Sequence, residues 1–161
     1  MSQEVLQKKI IELSEADNFG QARNEWAVEQ VYSLDPDEEL ETCLCGYHPI
    51  KHICVIVNRN NGNNAIVGNS CVSRFLDARS CAIMKALARI IKDTSRSLNT
   101  QTLDLLMNRG AISHSDYETS LRWTRKRKLS PELRELRTRV NSLAIAFFAR
   151  RERGVAPLQQ P

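Results

Sequence analysis

The feature that most constrains this chain is the spacing of its cysteines. Four of the five lie in one segment, CLCGYHPIKHICVIVNRNNGNNAIVGNSCVSRF, which starts at Cys43. The odd cysteine count argues against a disulfide framework, and the start MSQEVLQKKI has no apolar signal-peptide core. We therefore expect a cytoplasmic, reducing location, where clustered cysteines favour metal binding over disulfides.

The elements predicted around these cysteines follow the order of a treble-clef-like zinc site. Cys43 and Cys45 are followed by Gly46, which permits the tight turn of a metal knuckle. Residues 50–68 predict a β-hairpin, because β-branched runs flank an Asn-Gly turn. Cys71 then falls in the first turn of a predicted helix, whose dipole favours a thiolate. This order predicts a Zn²⁺ site.

Tetrahedral Zn²⁺ takes four ligands, and the sequence leaves the fourth open. Cys54, on the first hairpin strand, is preferred because cross-strand pairing could bring its thiolate near Cys71. His48, just after the knuckle, is the alternative, and His52 is a weaker third choice. The competing interpretation is a set of small buried core cysteines without metal, which is what we expect of Cys81.

The sequence favours a closed structural metal site over a catalytic one. A catalytic zinc keeps an open position beside an acid or base. No Asp or Glu lies between Cys43 and Arg74, and the H-x-E signature of zinc deaminases is missing. The pair His114 and Asp116 is the other polar candidate, but helix capping explains the aspartate. We therefore predict that the protein is not an enzyme.

The rest of the chain has mainly helical patterns. Residues 3–13 predict an amphipathic helix, residues 25–34 fit a strand or a helix equally, and an apolar stripe from residue 70 predicts one helix of about 20 residues. A second stripe combines Leu133, Leu136, Val140, Leu143 and Phe147. The candidate N-caps are Ser70, Asn99, Ser113 and Ser130.

We therefore predict a helix-rich α+β fold, in which a zinc knuckle and a β-hairpin pack against several helices. Residues 1–40 form an acidic helix and a strand or linker. Residues 41–77 hold the knuckle, the hairpin and a helix start. Residues 78–153 form a basic helical region, and residues 154–161 are expected to be a disordered tail. No apolar run reaches the ~20 residues of a membrane span.

Charge is distributed unevenly along the chain. Residues 1–42 carry three Lys/Arg against eleven Asp/Glu, whereas residues 43–161 carry twenty against eight. A basic body of this kind suits a polyanion, although a solvated helical face explains the same pattern. The candidate nucleic-acid or partner-binding residues are Arg122, Trp123, Arg125, Lys126, Arg127, Lys128, Arg134 and Arg137. Trp123 would either stack on a base or pack in the hydrophobic core.

The cysteine segment also resembles a group of small zinc-binding proteins of phages, plasmids and bacteria. The shared pattern is CxCG, an apolar strand ending in Asn, an Asn-Gly turn and VGNxCVxxF, and the resemblance extends over roughly residues 41–141. The histidine of CGYHPI is shifted by one position from the CGH of those relatives. The resemblance implies a metal site and a shared fold, and it implies no particular reaction.

Together these patterns predict a non-enzymatic Zn²⁺-binding module that binds DNA or RNA through its basic helical surface, encoded by a phage or mobile element. The alternative is a protein-interaction module that docks on a nucleic-acid-handling host protein, such as RNA polymerase, or on a defence complex.

Overall fold

The computed structural model describes residues 3–76 and 78–150. The chain divides between Cys81 and Ala82 into two compact units. The predicted disordered tail, residues 154–161, lies outside the described residues. Within the described residues, no helix has both the length and the apolar character needed to cross a membrane. The architecture is helix-rich α+β, as predicted.

The first unit contains a three-stranded antiparallel sheet in the order β1-β2-β3. The pattern at residues 25–34, which fitted a strand or a helix equally, forms strand β1, and this strand pairs along the predicted hairpin. The acidic N-terminal segment therefore belongs to the same sheet as the cysteine segment. The elements are α1 (Gln3–Glu12), α2 (Phe19–Ala22), a 3₁₀ turn (Arg23–Glu25), β1 (Trp26–Ser33), β2 (His52–Asn58), β3 (Asn64–Gly68) and α3 (Asn69–Phe75).

The β2–β3 turn is fixed by asparagine and glycine chemistry. Gly62 has φ +76°, a left-handed conformation that a residue with a side chain rarely adopts. The side-chain oxygen of Asn58 accepts hydrogen bonds from the backbone N–H groups of Asn60 and Asn61, at 2.8 and 3.2 Å. The turn sets the register that pairs Cys54 with Val67.

A buried carboxylate ties the start of β1 to this turn. Glu25 accepts hydrogen bonds from the backbone N–H groups of Glu15 and Ala16, at 2.9 and 2.8 Å, and from the Asn58 side chain at 2.6 Å. These donors, that of Asn58 first, hold the pKa of Glu25 below its ordinary value of 4.5 despite its burial. The adjacent Trp26 is fully buried, and its indole N–H donates to Ser14 at 2.8 Å.

The prediction of a single long helix from residue 70 is wrong. Helix α3 begins at Asn69 with Gly68 as its N-cap, rather than Ser70, and ends at Phe75. Leu76 adopts an extended conformation (φ −68°, ψ +157°), and its carbonyl accepts a hydrogen bond from the Arg23 guanidinium at 3.0 Å. This tertiary contact satisfies a carbonyl that a continuous helix would have used internally. A separate helix, α4 (Ala78–Lys92), follows.

The second unit contains the remainder of α4 and three further helices in the described residues. The predicted caps are confirmed, since the side chains of Asn99, Ser113 and Ser130 each accept a hydrogen bond from the backbone N–H three residues later. Leu143 is the exception to the predicted apolar stripe, being 40% exposed, whereas Val140 is buried. The helices are α5 (Thr100–Asn108), α6 (His114–Trp123) and α7 (Pro131–Phe147).

Candidate metal centre

The CxCG segment forms a compact knuckle. The Gly46 N–H donates to the Cys43 carbonyl at 2.8 Å, and the Cys43 N–H donates to the Tyr47 carbonyl at 2.9 Å. Gly46 has φ +91°, which explains why the turn requires glycine at this position. The two cysteines are therefore held on a closed turn whose shape is set by backbone hydrogen bonds.

The knuckle is closed at its base by a backbone bridge and joined to strand β3 by a further hydrogen bond. Glu41 and Ile50 form an isolated antiparallel bridge with two backbone hydrogen bonds, of 3.1 and 2.9 Å. The Leu44 N–H, inside the knuckle, donates to the carbonyl of Ile66 on β3 at 2.9 Å. Because β3 leads directly into α3, these contacts hold the knuckle close to the start of the helix that carries Cys71.

Three thiol sulfurs meet at this junction. The Sγ atoms of Cys43, Cys45 and Cys71 all lie within 4.8 Å of one another. Zn–S bonds of about 2.3 Å in a tetrahedral site separate sulfurs by roughly 3.8 Å, so a small adjustment would place all three on one ion. The three residues are buried, with 3%, 7% and 8% of their surface exposed. The donor set and its spacing fit a thiophilic metal ion.

Two features of this cluster favour the binding of a metal cation. The backbone N–H of Gly68 donates to the Cys43 sulfur at 3.3 Å, as amides commonly do to metal-bound thiolates. Burial, followed by the neighbouring sulfurs of Cys45 and Cys43, raises the pKa of Cys71 to about 12. Burial also opposes ionisation of Cys45, but hydrogen bonds involving Tyr47, Cys71 and Cys43 outweigh it and lower the Cys45 pKa. A bound cation would allow all three thiolates to form together.

The structure does not bring the predicted fourth ligands into this group of sulfurs. Cys54 is fully buried in the middle of β2, and desolvation raises the pKa of its thiol to about 12. His48 is exposed, and its Nδ1 lies 3.0 Å from the Thr42 hydroxyl. His52 is also exposed, with its Nδ1 2.8 Å from the Ser33 hydroxyl.

Cys81 lies apart from the metal cluster, but it is not the buried core cysteine that the sequence predicted. It is half-buried at the start of α4, and its thiol donates towards the carbonyls of Leu76, Val72 and Ser73 at 3.5 to 3.8 Å. These contacts cover the end of α3. Cys81 therefore has a local structural role at the break between the two helices.

The basic residues divide into two groups. Five of them are exposed, and their side chains form no hydrogen bond or ion pair with the described part of the chain. Most lie at the end of α6 and in the loop before α7, and the loop itself contains no acidic residue. These five are Arg122, Arg125, Arg127, Lys128 and Arg134.

The remaining three candidate residues have structural contacts. Arg137 is half-buried, and its guanidinium donates to the Trp123 carbonyl at 2.8 Å, so this candidate binding residue is held by the fold. Desolvation lowers the pKa of Arg137. Trp123 is half-buried and lines a small cavity between α6 and α7, with the Lys126 ammonium 4.4 Å from its ring centre. Arg137 lines the same cavity as Trp123.

The backbone groups that position the sulfurs were not identified from the sequence. The donor to the Cys43 sulfur is the amide of Gly68, and the amide of Leu44 joins the knuckle to β3. Every residue other than proline has such an amide, so residue type carries no signal for these contacts.

Comparisons with protein-family models, with curated proteins and with solved structures give no match.

Proposed function

We propose that this protein is a zinc-binding module, without catalytic activity of its own, that binds nucleic acid through the exposed basic segment at the end of α6 and in the α6–α7 loop. The meeting of Cys43, Cys45 and Cys71 within 4.8 Å carries the metal assignment. The five unpaired cationic side chains support the nucleic-acid assignment.

The metal assignment rests on chemistry as well as on distance. Three thiolates form a soft donor set, which suits Zn²⁺ and is unsuited to Mg²⁺ or Ca²⁺. The site joins a knuckle, a strand end and a helix start, so a bound ion would cross-link three parts of the first unit. Such a cross-link stabilises the fold directly, because the unfolded chain does not present the ligands together.

Metal content tests this assignment. The full-length protein, purified without chelator or affinity-metal steps, should contain about one Zn²⁺ per chain by atomic emission, as expected for one thiolate site. Cys71→Ser should lose the metal, whereas Cys81→Ser should retain it as the matched control. Absence of bound metal in the wild-type protein, even after reconstitution under reducing conditions, would reject the site.

The nucleic-acid assignment rests on uncompensated charge. In the second unit, Asp93, Asp116 and Glu118 have basic partners in Arg96, Arg139 and His114. Asp104 accepts a hydrogen bond from Tyr117 at 2.6 Å. These carboxylates thus have partners other than the five exposed basic residues. Glu132 and Glu135 lie beside Arg134 on α7 but form no ion pair with it, so the charge is least compensated in the α6–α7 loop, which suits phosphates.

Salt-dependent binding tests the surface. Arg125→Ala with Arg127→Ala should weaken binding to duplex DNA or RNA and reduce the slope of log K against log salt by up to about 1.8, roughly 0.9 for each lost phosphate contact. Lys85→Ala with Lys92→Ala is the matched control, because it removes the same charge from exposed positions on α4. If the two double variants weaken binding equally, the attraction is general to the charge of the protein and the basic segment is not a specific binding surface.

The same surface would also suit an acidic protein partner. A pull-down with wild-type protein and with the Arg125/Arg127 double variant, each with and without nuclease, separates the two possibilities. Loss of captured material after nuclease treatment supports nucleic acid as the direct ligand. Retention of a protein that depends on the two arginines after nuclease treatment supports a docking module instead.

A further inference from the structure

The proposed metal cluster has three ligands among the residues that the structure describes. Among the described residues, no fourth His, Cys, Asp or Glu has a ligand atom within 4.8 Å of all three sulfurs. Zn²⁺ and Co²⁺ in thiolate sites prefer four donors, so three sulfurs leave one coordination position. The question is which donor completes the site.

The two leading candidates from the sequence are held elsewhere. Cys54 pairs with Val31 on one side and with Val67 on the other, and its side chain is fully enclosed in the sheet. To reach the cluster it would have to leave the middle strand of the sheet. His48 is exposed, with its Nδ1 engaged by the Thr42 hydroxyl.

The cluster lies close to the protein surface. Cys45 and Cys71 keep 7% and 8% of their surface exposed, in contrast to Cys54, which keeps none. The residues that follow the knuckle, including Tyr47 with 52% of its surface exposed, are open to solvent. The small exposed fractions of Cys45 and Cys71 mark the side from which a donor outside the chain would have to reach the sulfurs.

Charge limits which donor would bind there. Three thiolates around a divalent ion leave one net negative charge, which the Gly68 N–H offsets only in part. An anionic fourth ligand would add a second negative charge, which four-thiolate zinc sites do carry, so charge favours a neutral donor but does not exclude an anionic one. A neutral nitrogen or oxygen donor adds none.

We infer that the fourth coordination position is filled from outside this chain by a neutral donor, either water or an imidazole. The site would then be exchangeable at one position, unlike the closed site expected from the sequence, and a histidine of a partner protein has the right chemistry to occupy it. This inference rests on the proposed metal binding and specifies what that site can recognise.

The experiment uses Co²⁺ in the full-length protein as a spectroscopic substitute for Zn²⁺. Titration with free imidazole should shift the visible absorption bands saturably, because the fourth ligand is exchanged. X-ray absorption of the zinc protein should give three sulfurs and one light atom. His48→Gln and Cys54→Ser should keep both the bands and the imidazole response of the wild type.

Each alternative has its own signature. Four sulfurs at the metal, reduced to three in Cys54→Ser, would overturn the inference, as would an imidazole response that appears only after His48→Gln. The inference would also be overturned if imidazole did not change the Co²⁺ absorption bands of the wild type, His48→Gln or Cys54→Ser proteins. If the wild-type protein binds neither Co²⁺ nor Zn²⁺, the proposed metal function itself fails, which is a distinguishable result.

Discussion

The knuckle around Cys43 and the basic segment after Trp123 are both dense in functional side chains, yet they are built differently. In the knuckle the side chains are buried, and backbone hydrogen bonds to neighbouring elements fix their positions. In the basic segment most of the cationic side chains are exposed and form no hydrogen bond or ion pair with the described part of the chain. The comparison indicates that the first region would contribute to stability through the proposed metal ion, whereas the second can change its charges at little cost to the fold.

The largest effect should come from breaking the knuckle. Cys43→Ser removes a ligand and the acceptor of the Gly68 N–H, so we expect the free energy of unfolding of the zinc-loaded protein to fall by about 3 kcal/mol or more. That corresponds to a loss of roughly 10 °C in the melting temperature, measured by calorimetry. Cys81→Ser is the control, and a comparable loss there would show that the cluster has no special role.

The next largest effect on stability should come from changing the buried carboxylate of Glu25. Glu25 has a native pKa below 4.5, so its contribution to stability is present above the unfolded pKa and is lost as pH falls through the lower native value. Glu25→Gln replaces one acceptor oxygen with a donor and should lower stability at neutral pH while flattening the acid side of the profile. Urea unfolding from about pH 7 down to about pH 3 measures both. Glu39→Gln, at an exposed position, should leave the profile unchanged.

Two arginines should sharpen the contrast within the basic region itself. Arg137→Ala removes a half-buried stem and a 2.8 Å hydrogen bond, and we expect a loss of about 1–2 kcal/mol in unfolding free energy. Arg127→Ala should change stability by less than about 0.5 kcal/mol, because the side chain is exposed. Similar losses measured in urea for both variants would contradict the division between structural and surface arginines.

The smallest effect should come from the contact between Lys126 and Trp123. At an exposed site a cation above an aromatic ring contributes about 0.5 kcal/mol. A double-mutant cycle with Lys126→Ala and Trp123→Leu should recover a coupling of this size in urea unfolding. Pairing Lys128→Ala with the same tryptophan variant should give no coupling. A larger value for Lys128 would show that the ring is covered from another direction.

The elements whose limits depend on local chemistry were predictable from the sequence. The hairpin follows from β-branched runs around an Asn-Gly turn, and the helix starts at Asn99, Ser113 and Ser130 follow from side chains that accept a nearby backbone N–H. Cys43 and Cys45 share a knuckle because Gly46 permits the turn. In each case the groups that interact lie within a few residues of one another.

The tertiary structure decided what depends on distant contacts. Helix α3, which contains Cys71, ends at Phe75, and the carbonyl of the extended Leu76 accepts a hydrogen bond from Arg23, over fifty positions earlier in the chain. Arg137 turns inward for the same kind of reason, since its partner is a carbonyl on another helix. Residue types alone predicted the presence of thiolate ligands. Which sulfurs meet was decided by strand register and backbone hydrogen bonds, because these set distances between residues far apart in sequence.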